Sequence, residues 1–286
     1  MSTPAPQPLV TIGMPIRNEA AFLTEALECL LAQDYPNVEI IISDNASSDT
    51  TADICQQFCS RHSTIRYQRQ AENIGAAANF DAVLRQANGE FFLWASGHDR
   101  WQSNYLSACV ARLQAHPSAV IAFGSTHWID GEGQPHAKQT GWSDTRGLHP
   151  VARYCTVFWG NMNPIIAVIR TANLQACRLQ SMVGLDLVIL LKLALQGDFV
   201  HATDTAWYRR QFREEAAYRQ KLQRYSSADY GLNRSLLGRL FPLAKLPMTL
   251  LGDVFAAAIP WSQKLMLLLI LLPSLPVKYL ADRSRR

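Results

Sequence analysis

No Gly-x-Gly-x-x-Gly run follows the first apolar segment. The glycine cradle that brings backbone against a dinucleotide's pyrophosphate is therefore missing, which disfavours a nicotinamide-dependent enzyme. Six cysteines are present (Cys29, Cys55, Cys59, Cys109, Cys155, Cys177), but no His or Cys partner stands at zinc spacing. They sit mostly inside expected helices and strands, as reduced core thiols of a cytosolic protein would. Residues 1–8 are polar and proline-rich, without the charged start and apolar core of a signal peptide. Repeats and low-complexity segments are absent. Diffuse basicity is absent as well: the whole-chain charge is +4, and the last 47 residues carry six basic side chains against two acidic ones, so residues 1–239 are neutral. That balance argues against nucleic acid as a partner. What remains is a chain of 286 residues, 48% hydrophobic, able to bury a full core.

Phe91 to Ala95 has the length and aromatic content of a buried strand, and Ser96-Gly97 stops it. His98 and Asp99 then fall beyond a strand's carboxyl end, the edge where open α/β sheets bind ligands. Asp99 there reads either as a turn-forming acid or as a hard oxygen ligand for a divalent cation already carrying phosphates. Upstream, Leu9–Met14 is a short apolar run, and Leu23, Ala26, Leu27, Leu30 and Leu31 make one helical face. Val38–Ile42 is a second strand, ending in the polar run Ser43 to Thr51. A helix with Ile54 and Phe58 inward follows, then a strand near Ile65–Tyr67. Two strand–helix units with short loops require a parallel sheet. The polar clusters Pro15–Glu19, Asp44-Asn45 and His98-Asp99 should then converge at one edge.

Four segments in order resemble glycosyltransferase family 2, the nucleotide-sugar enzymes of the GT-A fold. They are Val10–Glu19, Ile41–Thr50, Glu72–Phe80 and Trp94–Asp99, within a resemblance covering roughly residues 8–215. The resemblance implies an α/β fold of GT-A type, with a mostly parallel central sheet flanked by helices. It also implies a nucleotide-binding half at about 8–123 and an acceptor half at about 124–239. On that analogy Pro15, Arg17 and Glu19 line the nucleotide cleft, and Asp44 and Asn45 face the base and ribose. Asn73, Gly75 and Asn79 join the nucleotide-sugar site with His98, and Asp99 is the metal ligand for Mn²⁺ or Mg²⁺. The family usually has an acid where His98 stands. Imidazole suits Mg²⁺ poorly, so His98 is expected as a neighbour of the ion or a diphosphate contact. Asn45 likewise replaces a frequent Asp.

The middle of the chain supports the plan. Phe80, Val83, Leu84 and Ala87 make one helical stripe, and Leu106, Cys109, Val110 and Leu113 another. Ala119–Phe123 is the next strand. Gly124–Pro150, with little periodicity, is expected as a long loop or hairpin over the cleft. Trp128, Trp142 and Trp159 lie in or near it, as sugar-stacking faces or as ordinary packing. Gly184–Gly197 reads as an apolar helix whose only acid, Asp186, lies in the first turn, where the helix dipole favours a carboxylate. Asp186 is either that cap or, as the resemblance implies, the general base of an inverting transfer, which needs one carboxylate in reach of the acceptor hydroxyl. Asp198–Thr203 is a last strand. Arg209, Arg210 and Arg213 either grip a diphosphate or form a solvated basic face.

Residues 240–286 form an apolar, basic helical tail cut by five prolines, whose longest apolar run, Leu265–Leu272, is eight residues. That falls short of the ~20 needed to cross a bilayer. Interleaved Lys and a terminal Arg cluster fit a surface lying in anionic headgroups at the cytoplasmic face of a membrane. A packed helical subdomain, a homodimer contact and a re-entrant segment are the other readings. The Gln-x-x-Arg-Trp signature of processive synthases is absent, favouring single-sugar transfer to a glycan or lipid-linked acceptor. A catalytically idle nucleotide-sugar-binding relative and a nucleotidyltransferase on a similar sheet are the alternatives.

Overall fold

The computed structural model describes residues 7–137, 140, 144–160, 165–182, 184–212 and 245–284. Its strands are β1 (Val10–Ile16), β2 (Val38–Asp44), β3 (Ile65–Arg69), β4 (Phe91–Trp94), β5 (Arg100–Trp101), β6 (Ala119–Ile129), β7 (Val168–Arg170) and β8 (Asp198–Arg210). They form one eight-stranded sheet in the order β3-β2-β1-β4-β7-β6-β8-β5. β3, β2, β1 and β4 run parallel, β7 is antiparallel between β4 and β6, β6 and β8 are parallel, and β5 returns antiparallel on β8. The register aligns Ile16 with Asp44 and Gly13 with Trp94, so the loops after β1, β2 and β4 leave from one edge.

Strand alternation sorts the core onto two faces. Val10, Ile12, Met14, Ile40, Ile42, Phe91 and Leu93 join α1 (Leu23–Leu31) and α4 (Tyr105–Ala115) in one cluster. Ile41, Phe92 and Trp94 face the other way, with α3 (Ala76–Arg85), α5 (Pro150–Trp159) and α7 (Leu185–Gln196). α2 (Thr51–Arg61) and the short α6 (Thr171–Ala176) complete the helices of this body.

The segment expected as a loop from Gly124 does not begin there. β6 continues to Ile129 and pairs with β8, which itself runs on through Trp207-Tyr208-Arg209-Arg210. Thr126, Trp128 and Ile129 in β6 and Trp207 and Tyr208 in β8 are residues that favour strand. The register shifts between Gly124 and Ser125, and a Cβ on Gly124 would lie 2.8 Å from the Tyr105 ring and 2.9 Å from the Thr205 carbonyl oxygen. The glycine thus marks a bulge where the backbones crowd, rather than a strand end. α5 then starts at Pro150, suited to a first helical turn.

The tail forms α8 (Lys245–Ala256) and α9 (Trp261–Ser284). Pro247 sits in the first turn of α8, and the carbonyl of Pro260 accepts the first amides of α9 from Gln263 and Lys264. These are places where proline costs a helix little. Pro273 and Pro276 lie within α9, which the sequence pattern had as break points. Leu250, Val254, Leu267 and Leu271 are buried in the same cluster as α5 and α7. The expected boundary at 239/240 lies outside the described residues. No helix among the described residues is long and apolar enough to cross a membrane.

Candidate active site

The loops after β1, β2 and β4 are knitted by their polar residues. The Asn18 amide donates to Ser47 Oγ at 2.9 Å, the Ser48 amide to Asn18 Oδ1 at 2.8 Å, and the Glu19 amide to Thr51 Oγ1 at 3.0 Å. Asn18 and Ala46 both hold φ of +54°, a conformation that non-glycine residues keep only when neighbours enforce it. Asp44 is fully buried: Oδ1 accepts from the amide and hydroxyl of Ser47, Oδ2 accepts from the Tyr67 hydroxyl at 3.0 Å, and Arg69 Nε lies 3.7 Å away. Asn45 donates to Asn73 Oδ1 at 2.7 Å and accepts from the Ile74 amide at 2.8 Å. Asn73 Oδ1 also accepts from the amide of Gly75, the residue that opens α3 at φ +86°. The sequence-derived residues therefore meet as expected, with Pro15 half-buried and Arg17 exposed on the same rim. Asp44 and Asn79 are the exceptions: Asp44 is sealed by the partners just named rather than open to a base or ribose, and Asn79 is turned inward too. It is buried within α3, exchanging hydrogen bonds with Ser43 at 2.6 and 2.9 Å, and fastens the helix to β2.

Asp99 has a different surrounding from the one a metal ligand needs. It is 3% exposed; Oδ2 accepts from Trp207 Nε1 at 3.0 Å and Oδ1 from the Arg210 amide at 2.8 Å. Arg210 Nε in turn donates to the His98 carbonyl at 2.9 Å. His98 Nδ1 lies 2.9 Å from Glu19 Oε2, and its ring stands edge-on to Phe212. No three His, Cys, Asp or Glu side chains among the described residues are grouped to hold an ion. The donors present thus do not fit a divalent cation at Asp99, whose carboxylate ties the loop after β4 to β8.

Arg210 belongs to the same tie. It is 4% exposed, pairs with Glu25, donates to the Gly131 carbonyl at 2.7 Å and lies over the Phe22 ring. Its neighbour Arg209 points to the opposite face of β8, as alternation requires. Its guanidinium stacks 4.6 Å from the Trp128 ring centre and 5.6 Å from that of Trp207. Arg213 and Trp142 lie outside the described residues.

Asp186 stands at a cavity of about 220 Å³ between the start of α3 and the start of α7. Ala76, Ala77 and Phe80 line one side, Trp94 the sheet end, and Ile165, Met182 and Leu185 the other. Gly184, in the left-handed region at φ +79°, turns the chain into α7 so that Asp186 falls in the first turn. A Cβ on Gly184 would meet Leu246 of α8 at 3.4 Å, and Lys245 Nζ donates to the Ser181 carbonyl at 2.9 Å. The tail thus braces the wall that carries Asp186. Solvent reaches the carboxylate through the cavity, yet the protein packed around it penalises the charge and pushes its pKa up, while Arg209 draws it back. Sequence reasoning missed Ala76, Ala77 and Trp94 as walls of this cavity. Only the small residues opening α3 gave a signal, by leaving room at that end.

Residues 11–170 match the family model described as Glycosyl transferase family 2. A stretch of 133 residues is 26% identical to the glycosyltransferase GlyG of Streptococcus pneumoniae serotype 4, covering 46% of this chain and 44% of that protein. Another, of 100 residues, is 31% identical to TuaG of Bacillus subtilis, a glycosyltransferase named for teichuronic acid biosynthesis, covering 35% of this chain and 40% of TuaG. Each match thus spans less than half of the relative's length. The crystal structure of S. aureus TarS 1–349 in complex with UDP-GlcNAc superposes with a TM-score of 0.70 at 17% identity, covering 92% of this chain and 71% of that one. At that identity the likeness is one of fold.

Proposed function

Since the chain belongs to glycosyl transferase family 2, we propose that it moves a single sugar from a nucleoside-diphosphate sugar to a hydroxyl of a glycan or lipid-linked acceptor, inverting the anomeric carbon. A role in building a cell-surface polysaccharide fits its likeness to TuaG. The observation that carries this reading is Asp186. Among the described residues it is the one acid lining the cavity, and its surroundings push its pKa up from the usual carboxylate value. Asp186 takes the proton of the acceptor hydroxyl as that oxygen attacks the anomeric carbon and the nucleoside diphosphate departs from the opposite face. One carboxylate suffices for direct displacement, whereas a double displacement needs a second group as nucleophile. The donor spans from the knitted loops after β1 and β2 toward Asp186. Divalent cations are general in this family, but the groups around Asp99 do not form a site for one, and no step here is assigned to a metal.

The tail supports a membrane-associated acceptor. Trp261, Leu265, Leu269 and Leu272 are exposed on α9, Met248 and Phe255 on α8, and Lys264 and Lys278 lie against Trp261 and Trp159. Apolar side chains flanked by cations suit the headgroup region of an anionic leaflet, with the protein peripheral at its cytoplasmic face. The test of catalysis is turnover of nucleoside-diphosphate sugars by wild type and Asp186→Asn. The variant should lose ~10²–10⁴ in kcat while donor affinity stays unchanged. Full turnover by Asp186→Asn would leave Asp186 as a helix cap. A wild type that binds donors yet never turns over would be the catalytically idle relative.

A further inference from the structure

Arg209 and Arg210 are adjacent cations with opposite fates. Arg210 spends its donors on Glu25 and on the carbonyls of His98, Asp130 and Gly131. Arg209 is half-buried, and among the described residues it makes no hydrogen bond or ion pair; the faces of Trp128 and Trp207 hold it instead. Stacking fixes a guanidinium while leaving its N–H fork unused, the geometry that matches phosphate oxygens two at a time. The Arg209 guanidinium, held over these two rings, is also near enough for its charge to be felt at Asp186. Its support is Trp207, whose indole N–H is anchored by Asp99.

We infer that this chain grips the donor's diphosphate with Arg209 and without a protein-bound divalent cation, Asp99 being the positioning residue that sets Trp207 and Arg209 in place. The inference rests on the reading of the donor as a nucleoside-diphosphate sugar. A fixed guanidinium beside the leaving diphosphate supplies the positive charge that bond cleavage calls for.

The test is calorimetric binding of UDP, GDP, CDP and dTDP to the full chain, in EDTA and in Mn²⁺, with melting curves for each variant. For whichever nucleotide binds, affinity in the two buffers should agree within ~3-fold, and Arg209→Met, which keeps the apolar stem between the two rings, should weaken it by at least ~10-fold in both. Arg209→Lys should recover only part of the loss, since an ammonium lacks the fork. Asp99→Asn should weaken binding equally in both buffers. Binding that is ~10-fold or more tighter in Mn²⁺, with the gain abolished by Asp99→Asn, would make Asp99 a metal ligand and overturn the inference while keeping the donor reading. A folded Arg209→Met that binds like wild type would also overturn it. If none of the four nucleotides binds wild type in either buffer, the donor reading falls and the inference with it.

Discussion

Asp44 and Asp186 are both acids at the end of a regular element, and the fold treats them oppositely. Asp44 is sealed among a serine, a tyrosine and an arginine that occupy both of its oxygens. Asp186 opens on an apolar cavity and has no side-chain hydrogen-bond donor among the described residues. The same contrast divides the two regions. The loops after β1, β2 and β4 are a mesh of polar ties that shapes a rim, whereas the wall around Asp186 is mostly apolar, with that carboxylate the one acid among its described residues. An acid whose two oxygens are both held by neighbours ties the architecture together. An acid left without side-chain donors beside a cavity is free to take a proton.

The largest effect expected from breaking this division is on the wall. Leu267 and Leu271 of α9 are buried in the cluster that carries α7, so Leu267→Ala or Leu271→Ala should each cost about 2–5 kcal/mol in denaturant unfolding. Wild-type stability in both variants would make the tail a separate body and detach it from the Asp186 side. Next in size is the rim. Asn79→Ala removes the acceptor of the Ser43 hydroxyl proton and a donor to the Ser43 carbonyl in the interior, which should cost about 1–3 kcal/mol, with donor affinity unchanged once the variant is folded. A stable variant with weakened donor binding would return Asn79 to the ligand-contacting set. The smallest effect on stability belongs to the outer face of the tail. Trp261→Glu combined with Leu269→Glu should change stability by no more than ~0.5 kcal/mol each and abolish flotation on anionic vesicles. Flotation of wild type should weaken with salt, since exposed charges are screened over ~8–10 Å. A wild type that never floats ends the membrane reading.

The same contrast explains what could be read from the sequence. The rim was legible because each apolar strand ends abruptly in Asn, Asp and Ser, residues whose short polar side chains bond nearby backbone. Pro15–Glu19, Asp44-Asn45 and His98-Asp99 leave from one edge, and Glu19 meets His98 there. Asp186 was legible as a single acid in an apolar helix. The cavity around it was not, because Ala76, Trp94 and Met182 carry no chemical signature and come together only through the packing of α3, β4 and the turn before α7. β7, the second half of β8 and the extension of β6 escaped the pattern because their pairing is long-range, and Gly124 imitates a strand end. The division of labour between Arg209 and Arg210 follows from period-two alternation. Which face meets Asp99 is decided by β5 and β6 on either side of β8, not by the residues themselves.

The pH dependence of transfer tests the central claim most directly, because the base itself titrates there. The protein packed around the cavity raises the folded-state pKa of Asp186 despite its opening to solvent, so the fold favours its protonated form and loses that preference as pH rises through the raised value. Catalysis needs the opposite form, so kcat at saturating donor should fall as pH drops through a limb above the ordinary ~4 of a carboxylate. Arg209 is the charge that pulls this pKa down, so Arg209→Met should move the limb to higher pH. A profile flat down to ~4, or a limb that stays put without Arg209, would contradict the assignment of Asp186 as the base.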